Sequence, residues 1–245
     1  MQSGNCTFKV VIPARYESSR FPGKPLVKIA GKSMIERTWE QCLKVVSKED
    51  ILIATDDERI MDHCNRIGAI AVLTPEDCLT GTDRVASLLD RLDEDYLVNV
   101  QGDEPIMNPD DLQLLIEETK TGKYEVLNGY TPILDEELYR SRSVPKVLFD
   151  EEGFLLYMTR AAAPASKNGS FKKAWRQVCI YSFSREALKK FRCEDRKTKL
   201  ESIEDVEILR FLEMGIKVKM IPMSGKSVPV DFSEDVEKVE KLINS

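Results

Sequence analysis

The sequence predicts an α/β protein: a largely parallel central sheet covered by helices, with a second half that carries a β-hairpin. Three observations support this class. Residues 8–12 and 96–100 are short, largely apolar runs, the pattern of strands buried on both faces. Stretches with helical apolar spacing separate runs of this kind. Asp150-Glu151-Glu152-Gly153 then divides two further apolar runs at a length that suits a hairpin.

Taken in order, 8–12 is the first strand, and Ile35, Trp39, Cys42/Leu43 and Val46 mark the face of the helix after it. A second strand covers 51–54. Ile60, Cys64 and Ile67 give the next helix its stripe, and 70–73 is a short strand. Val85, Leu88, Leu89 and Leu92 predict a helix over 82–92, ahead of the strand 96–100. Pro109 opens a helix over 109–119, where its missing N–H would have had no partner in any case. In the second half, 146–149 and 154–158 are the hairpin arms and 178–183 is a strand. A helix through Val206, Leu209 and Phe211/Leu212 stops at Gly215. A strand at 217–221 and a helix at 234–243 close the chain, and 161–174 reads as an exposed loop. No repeat, low-complexity run or linker divides the sequence, so residues 1–245 are expected to form one domain.

Composition narrows the function. With 42% hydrophobic and 32% charged residues, the 245-residue chain can bury a core beneath a soluble surface. A net charge of −6 argues against general binding to nucleic acid or anionic membranes, so any anion site must be local. Six cysteines without CxxC spacing, several at apolar positions, predict buried free thiols. No signal-peptide pattern opens the sequence and no apolar run reaches the ~20 residues needed to span a bilayer, so a cytoplasmic location is expected. The one histidine, His63, falls beside the stripe of a surface helix and is expected to be solvated. Histidine-based triads and multi-histidine metal sites are thereby largely excluded, and a metal would be held by carboxylates, which favours magnesium.

The chemistry concentrates where strands end. The first strand runs into Arg15-Tyr16-Glu17-Ser18-Ser19-Arg20-Phe21-Pro22-Gly23-Lys24, a long loop with three cations, two small hydroxyls and a Pro-Gly turn. Such a loop is suited to a triphosphate. Gln101-Gly102-Asp103-Glu104-Pro105 follows the strand 96–100 and reads either as metal-binding carboxylates or as a capped turn. Gly81-Thr82-Asp83-Arg84 opens a helix as an anion contact or as a surface cap with an ion pair. Asp231, just before the last helix, is a ligand or an N-cap.

These segments, with Gly31-Lys32-Ser33-Met34-Ile35, Ala54-Thr55-Asp56-Asp57-Glu58-Arg59-Ile60, Tyr157-Met158-Thr159-Arg160 and residues 200–210, resemble the 3-deoxy-manno-octulosonate (Kdo) cytidylyltransferases, also called CMP-Kdo synthetases. The resemblance implies a single-domain nucleotidyltransferase fold of GT-A or Rossmann-like kind, with a nucleotide-binding half over about 1–120 and an acceptor-binding and dimerisation half over about 121–245. It implies transfer of CMP from CTP to an acidic keto-sugar with release of pyrophosphate, for lipopolysaccharide or surface-glycan synthesis, by an Mg²⁺-dependent homodimer. Arg15, Lys24 and Asp103 would be catalytic. Pro13, Ala14, Arg15, Ser19, Arg20, Lys24, Arg84 and Gln101 would bind the nucleotide, and Asp103 and Asp231 the metal. Gln101, Arg160, Gln177, Tyr181, Glu207 and Ile208 would meet the acceptor. Two positions depart from the family: its Kdo-site histidine is Gln177 here, and a glutamine is Ile208. Those changes bear on acceptor selectivity. Alternatives are the same reaction on 8-amino-Kdo or a sialic-type acid, or a non-catalytic nucleotide-binding homologue. A glycosyltransferase is disfavoured, because the cationic loop and Asp103 suit a triphosphate better than a nucleotide-sugar.

Overall fold

The computed structural model describes residues 5–17 and 21–244. The first strand, β1 (Phe8–Ala14), leads through a 3₁₀ turn at Lys24–Leu26 to a small antiparallel pair, β2 (Lys28–Ile29) and β3 (Lys32–Ser33), and then to helix α1 (Met34–Leu43). β4 (Ile51–Thr55), α2 (Glu58–Ile67), β5 (Ala71–Leu73), α3 (Gly81–Ala86), β6 (Tyr96–Val100) and α4 (Pro109–Lys120) follow. Next come β7 (Val126–Ile133), α5 (Glu136–Arg140) and the hairpin β8 (Lys146–Phe149) and β9 (Leu155–Thr159), whose turn uses Gly153. The long β10 (Ala174–Ser184), α6 (Arg185–Arg192), α7 (Lys199–Glu204), α8 (Ile208–Glu213), β11 (Val218–Pro222) and α9 (Ser233–Ile243) complete the chain.

The main sheet has the order β11-β7-β10-β6-β1-β4-β5, with the hairpin joined through β8 to β10. β5, β4, β1 and β6 pair in parallel, as do β11 and β7, while β10 is antiparallel to both β6 and β7. Alternate residues of the parallel strands bury to opposite faces. Val11, Leu97 and Phe183 pack under α3, α6 and α8, and Val10, Ile12, Val98 and Val100 under α1, α2 and α4. A smaller cluster seats α9, through Val239, on Ile29, Met34 and Val230.

The largely parallel sheet is as expected, but several elements differ. Strand β7 went unpredicted because Asn128, Gly129 and Pro132 break its apolar run. The helix expected over 82–92 ends at Ala86, and the chain continues as i−3 turns that still bury Leu88 and Leu89. There the Ser87 hydroxyl takes the Arg84 carbonyl at 2.7 Å. The helix expected through Val206 starts at Ile208, after Asp205 takes a left-handed conformation at φ 51°. Among the described residues the cysteines form no disulfide, but only Cys42 and Cys64 are buried, and Cys193 is exposed. His63 is not simply solvated: its Nε2 lies 2.6 Å from the Ser33 hydroxyl that caps α1.

Candidate active site

The site lies at the carboxyl ends of β1 and β6, where a parallel sheet opens between neighbouring strands. Pro13 and Ala14 end β1, and Arg15 turns out to solvent. The loop closes by a bond from the Gly23 N–H to the Tyr16 carbonyl (2.9 Å), with Gly23 at φ 69° under the Tyr16 ring. The following turn aims Lys24. Its Nζ lies 2.7 Å from Asp103 Oδ2 and 3.6 Å from Asp231 Oδ1. Ser19 and Arg20 lie outside the described residues.

Asp103 arrives from β6. A Cβ on Gly102 would fall 2.7 Å from the Pro13 carbonyl, so glycine is what lets the two strand ends meet. Asp231 arrives from the far end of the chain, where the Val230 N–H donates to the Asp103 carbonyl at 3.0 Å. Residues 128 positions apart in sequence are thus brought to one ammonium. No cluster of three or more His, Cys, Asp or Glu ligands occurs among the described residues. Mg²⁺ is commonly held by only one or two carboxylates together with phosphate oxygens and water, so the Asp103–Asp231 pair fits that ion. The cation already lodged between them shows that the spot favours positive charge.

Two adjoining clefts share the wall formed by Arg15, Gln101, Asp103 and Asp231. In the first, lined also by Pro13, Ala14 and Lys24, Arg84 is nearly buried. Its terminal nitrogens donate to Asp56 (2.6 Å), to Thr74 and to the Pro75 carbonyl, so it braces the wall. Beneath it, the fully buried Arg210 joins Glu201 and Asp83, each at 2.7 Å.

The second cleft takes in Gln101, Arg160, Gln177, Tyr181 and Glu207. Glu207 accepts from Gln101 Nε2 (3.1 Å) and from the Thr82 N–H (3.0 Å), and burial raises its pKa. Arg160 donates to the backbone carbonyls of Glu204 (2.6 Å), Asp205 (2.9 Å) and Arg142 (3.1 Å), which ties two loops to the rim. The buried Lys146 braces the same rim through the carbonyls of Ser141 and Val144, both at 2.6 Å. Ile208 is corrected: it is fully buried in the core and does not line the cleft, because an apolar side chain at the start of α8 gains by turning inward. A bulge shapes the floor. Three steps from Val178 to Tyr181 pass against one from Gly129 to Asn128, and Cys179 and Tyr181 are brought to the cleft.

A cytidylyltransferase family model matches residues 9–220. The chain belongs to the cytidylyltransferase family. It is 38% identical over 241 residues to the 3-deoxy-manno-octulosonate cytidylyltransferase of Protochlamydia amoebophila, covering 95% of this chain and 93% of that one. It is 39% identical to the enzyme of the same description from Myxococcus xanthus, covering 100% and 99%. Among solved structures it resembles a CMP:2-keto-3-deoxy-manno-octonic acid synthetase complexed with CTP, with TM-score 0.90 and 31% identity over 97% of this chain and 98% of that one. The fold is that of a nucleotidyltransferase.

Within this cytidylyltransferase framework the site holds two side chains not singled out from the sequence. Glu104 is buried, and burial together with the charge of Asp103 pushes its pKa up to about 8. It accepts from the Ser227 hydroxyl, a second tie to the segment that carries Asp231. Its position next to Asp103 in the same motif was the available signal. Arg176 lines the second cleft, and its Nη2 donates to the Gly225 carbonyl at 3.0 Å. Its signal was a cation directly before Gln177.

Proposed function

We propose that this cytidylyltransferase transfers CMP from CTP to the anomeric hydroxyl of Kdo, a 3-deoxy-2-ulosonic acid, with release of pyrophosphate. The observation that carries this reading is the Asp103–Asp231 pair at the wall common to both clefts, with the Lys24 ammonium of the first cleft set against it. CTP would occupy the first cleft and the sugar acid the second, which brings the attacking hydroxyl and the α-phosphorus to the shared wall. The relatives' names and the CTP-bound neighbour support the same pair of substrates.

Arg15 and Lys24, with Arg20 from the same loop, would neutralise the triphosphate and the departing pyrophosphate. Gln101, steadied by Glu207, would contact both substrates. Arg160 would meet the acid's carboxylate, aided by Arg176 on the same cleft. Held by Asp103 and Asp231, Mg²⁺ would supply charge neutralisation at the phosphates and a lower pKa for the attacking hydroxyl. His63 lines neither cleft, so positioning and electrostatics carry the rate without a histidine base.

The homodimer expected for the family is part of this reading, with Leu156 and Ile203 of the second half, exposed at 63% and 71%, offered to its interface. No helix among the described residues is long and apolar enough to cross a membrane, and a cytoplasmic site of action is part of this reading. The test is pyrophosphate release with Mg²⁺ and CTP, comparing Kdo, 8-amino-Kdo, N-acetylneuraminate and no acceptor. Release with Kdo is expected. Silence with both Kdo and 8-amino-Kdo would overturn the assignment.

A further inference from the structure

The floor of the second cleft carries an amide whose direction is set from behind. Asn128, on β7, is fully buried, and its Nδ2 donates to the carbonyls of Val178 and Ile180, both at 3.0 Å. Those carbonyls flank Cys179 in the bulge of β10. Carbonyl oxygens only accept, so the Asn128 amide has a single orientation and its Oδ1 is left to face Gln177. That oxygen also only accepts. Gln177 therefore turns Nε2 to it, at 3.0 Å, and the same nitrogen donates to the Tyr181 hydroxyl at 3.1 Å. Both N–H groups of Nε2 are used inward. Gln177 lines the cleft with 8% of its surface exposed, and Oε1 is the polar atom it has left to offer there.

We infer that Gln177 Oε1 is a specificity-determining acceptor that takes a hydrogen bond from a hydroxyl or ammonium group of the acidic sugar, and that Asn128, which does not line the cleft, is the positioning residue that fixes this polarity. A methylene or an ether oxygen at that point would leave the carbonyl unpaired, and a second carboxylate would oppose it. The inference rests on the function proposed above. It goes beyond it by stating what kind of group the acceptor must present, and which end of the side chain reads it.

The experiment measures kcat/KM of the wild-type enzyme and Gln177→Met with saturating CTP and Mg²⁺. The acceptors are Kdo, 8-amino-Kdo and a set of Kdo analogues that each lack one hydroxyl. At one position the wild type is expected to reject the deoxy analogue about tenfold or more, the worth of one neutral hydrogen bond in a partly dry site. In Gln177→Met that preference should fall to within about twofold, with the KM for CTP unchanged. Better use of 8-amino-Kdo than of Kdo by the wild type alone would identify the donor as an ammonium. Gln177→Ala gives the same comparison should the methionine variant fail to fold. Rejection that persists in the variant, or an equal loss on every acceptor, would overturn the inference while leaving the function standing. Silence of the wild type with both Kdo and 8-amino-Kdo would overturn the function and this inference together.

Discussion

Lys24 illustrates how one side chain can hold a site in register. Its ammonium touches Asp103 at 2.7 Å and approaches Asp231 at 3.6 Å, so it offsets two carboxylates that would otherwise repel each other. Asp103→Asn should lower turnover by about a hundredfold or more with the melting temperature nearly unchanged, because a neutral amide binds a hard cation poorly. A pyrophosphate assay beside a thermal melt checks this, and near-normal turnover would refute the metal role. His63 makes a separate prediction. Burial and the nearby charge of Lys28 lower its pKa from 6.5, against the opposing pull of Glu36. The folded state therefore prefers the neutral ring, and below pH about 6.5 the unfolded chain binds the proton more readily. Stability should be full above that pH and fall as pH drops from it toward the folded pKa. Urea midpoints between pH 5 and 8 should show the slope, and His63→Gln should flatten it. The loop cations and Asp103 were legible as residue types at strand ends, and Asp231 as one just before the last helix. The partnerships of Arg84 and Arg160 were not, because a sequence shows a cation but not which carbonyl or carboxylate will occupy it.

At the scale of elements, the site depends on contacts between ends rather than along lengths. β1 and β6 converge only because residue 102 is glycine. Gly102→Ala would force its Cβ against the Pro13 carbonyl, and a stability loss of about 1–3 kcal/mol is expected. A raised KM for CTP should accompany it, since Asp103 and the Arg15 loop would be pushed apart. Steady-state kinetics and chemical denaturation test the two together. Helices α7 and α8 depend on a different contact, the buried pair of Arg210 and Glu201 at 2.7 Å. Arg210→Met leaves Glu201 buried without its partner and should cost about 3–5 kcal/mol, read as a fall in the denaturation midpoint. Those helices show where sequence reading stops. The apolar spacing around Val206 and Leu209 announced a helix, but the left-handed residue Asp205 that divides α7 from α8 carries no glycine to mark it. β7 was hidden for a related reason: Asn128 and Gly129 look like turn residues, yet one braces a bulge and the other makes room for Met223.

For the whole molecule, the fold class was legible because buried parallel strands have a one-dimensional signature, whereas the reversed strand at the centre does not. β10 joins the β6 side of the sheet to the β7 side, and with its bulge it supplies the floor of the second cleft. The second half also exposes Leu156 and Ile203. Light scattering should give a dimer, and Leu156→Glu should shift it toward monomer. The place of β10 has a further consequence for how the protein is made. The partners that flank β7, namely β10 and β11, both follow it in the chain, and β6 likewise waits for β10. As the polypeptide leaves the ribosome, the first four parallel strands can assemble, but they present an open edge until residue 184 has emerged. A nascent chain stalled within the hairpin would carry three strand edges whose partners had not yet been made, two on β7 and one on β6, the form most exposed to chaperone capture or to pairing with another copy.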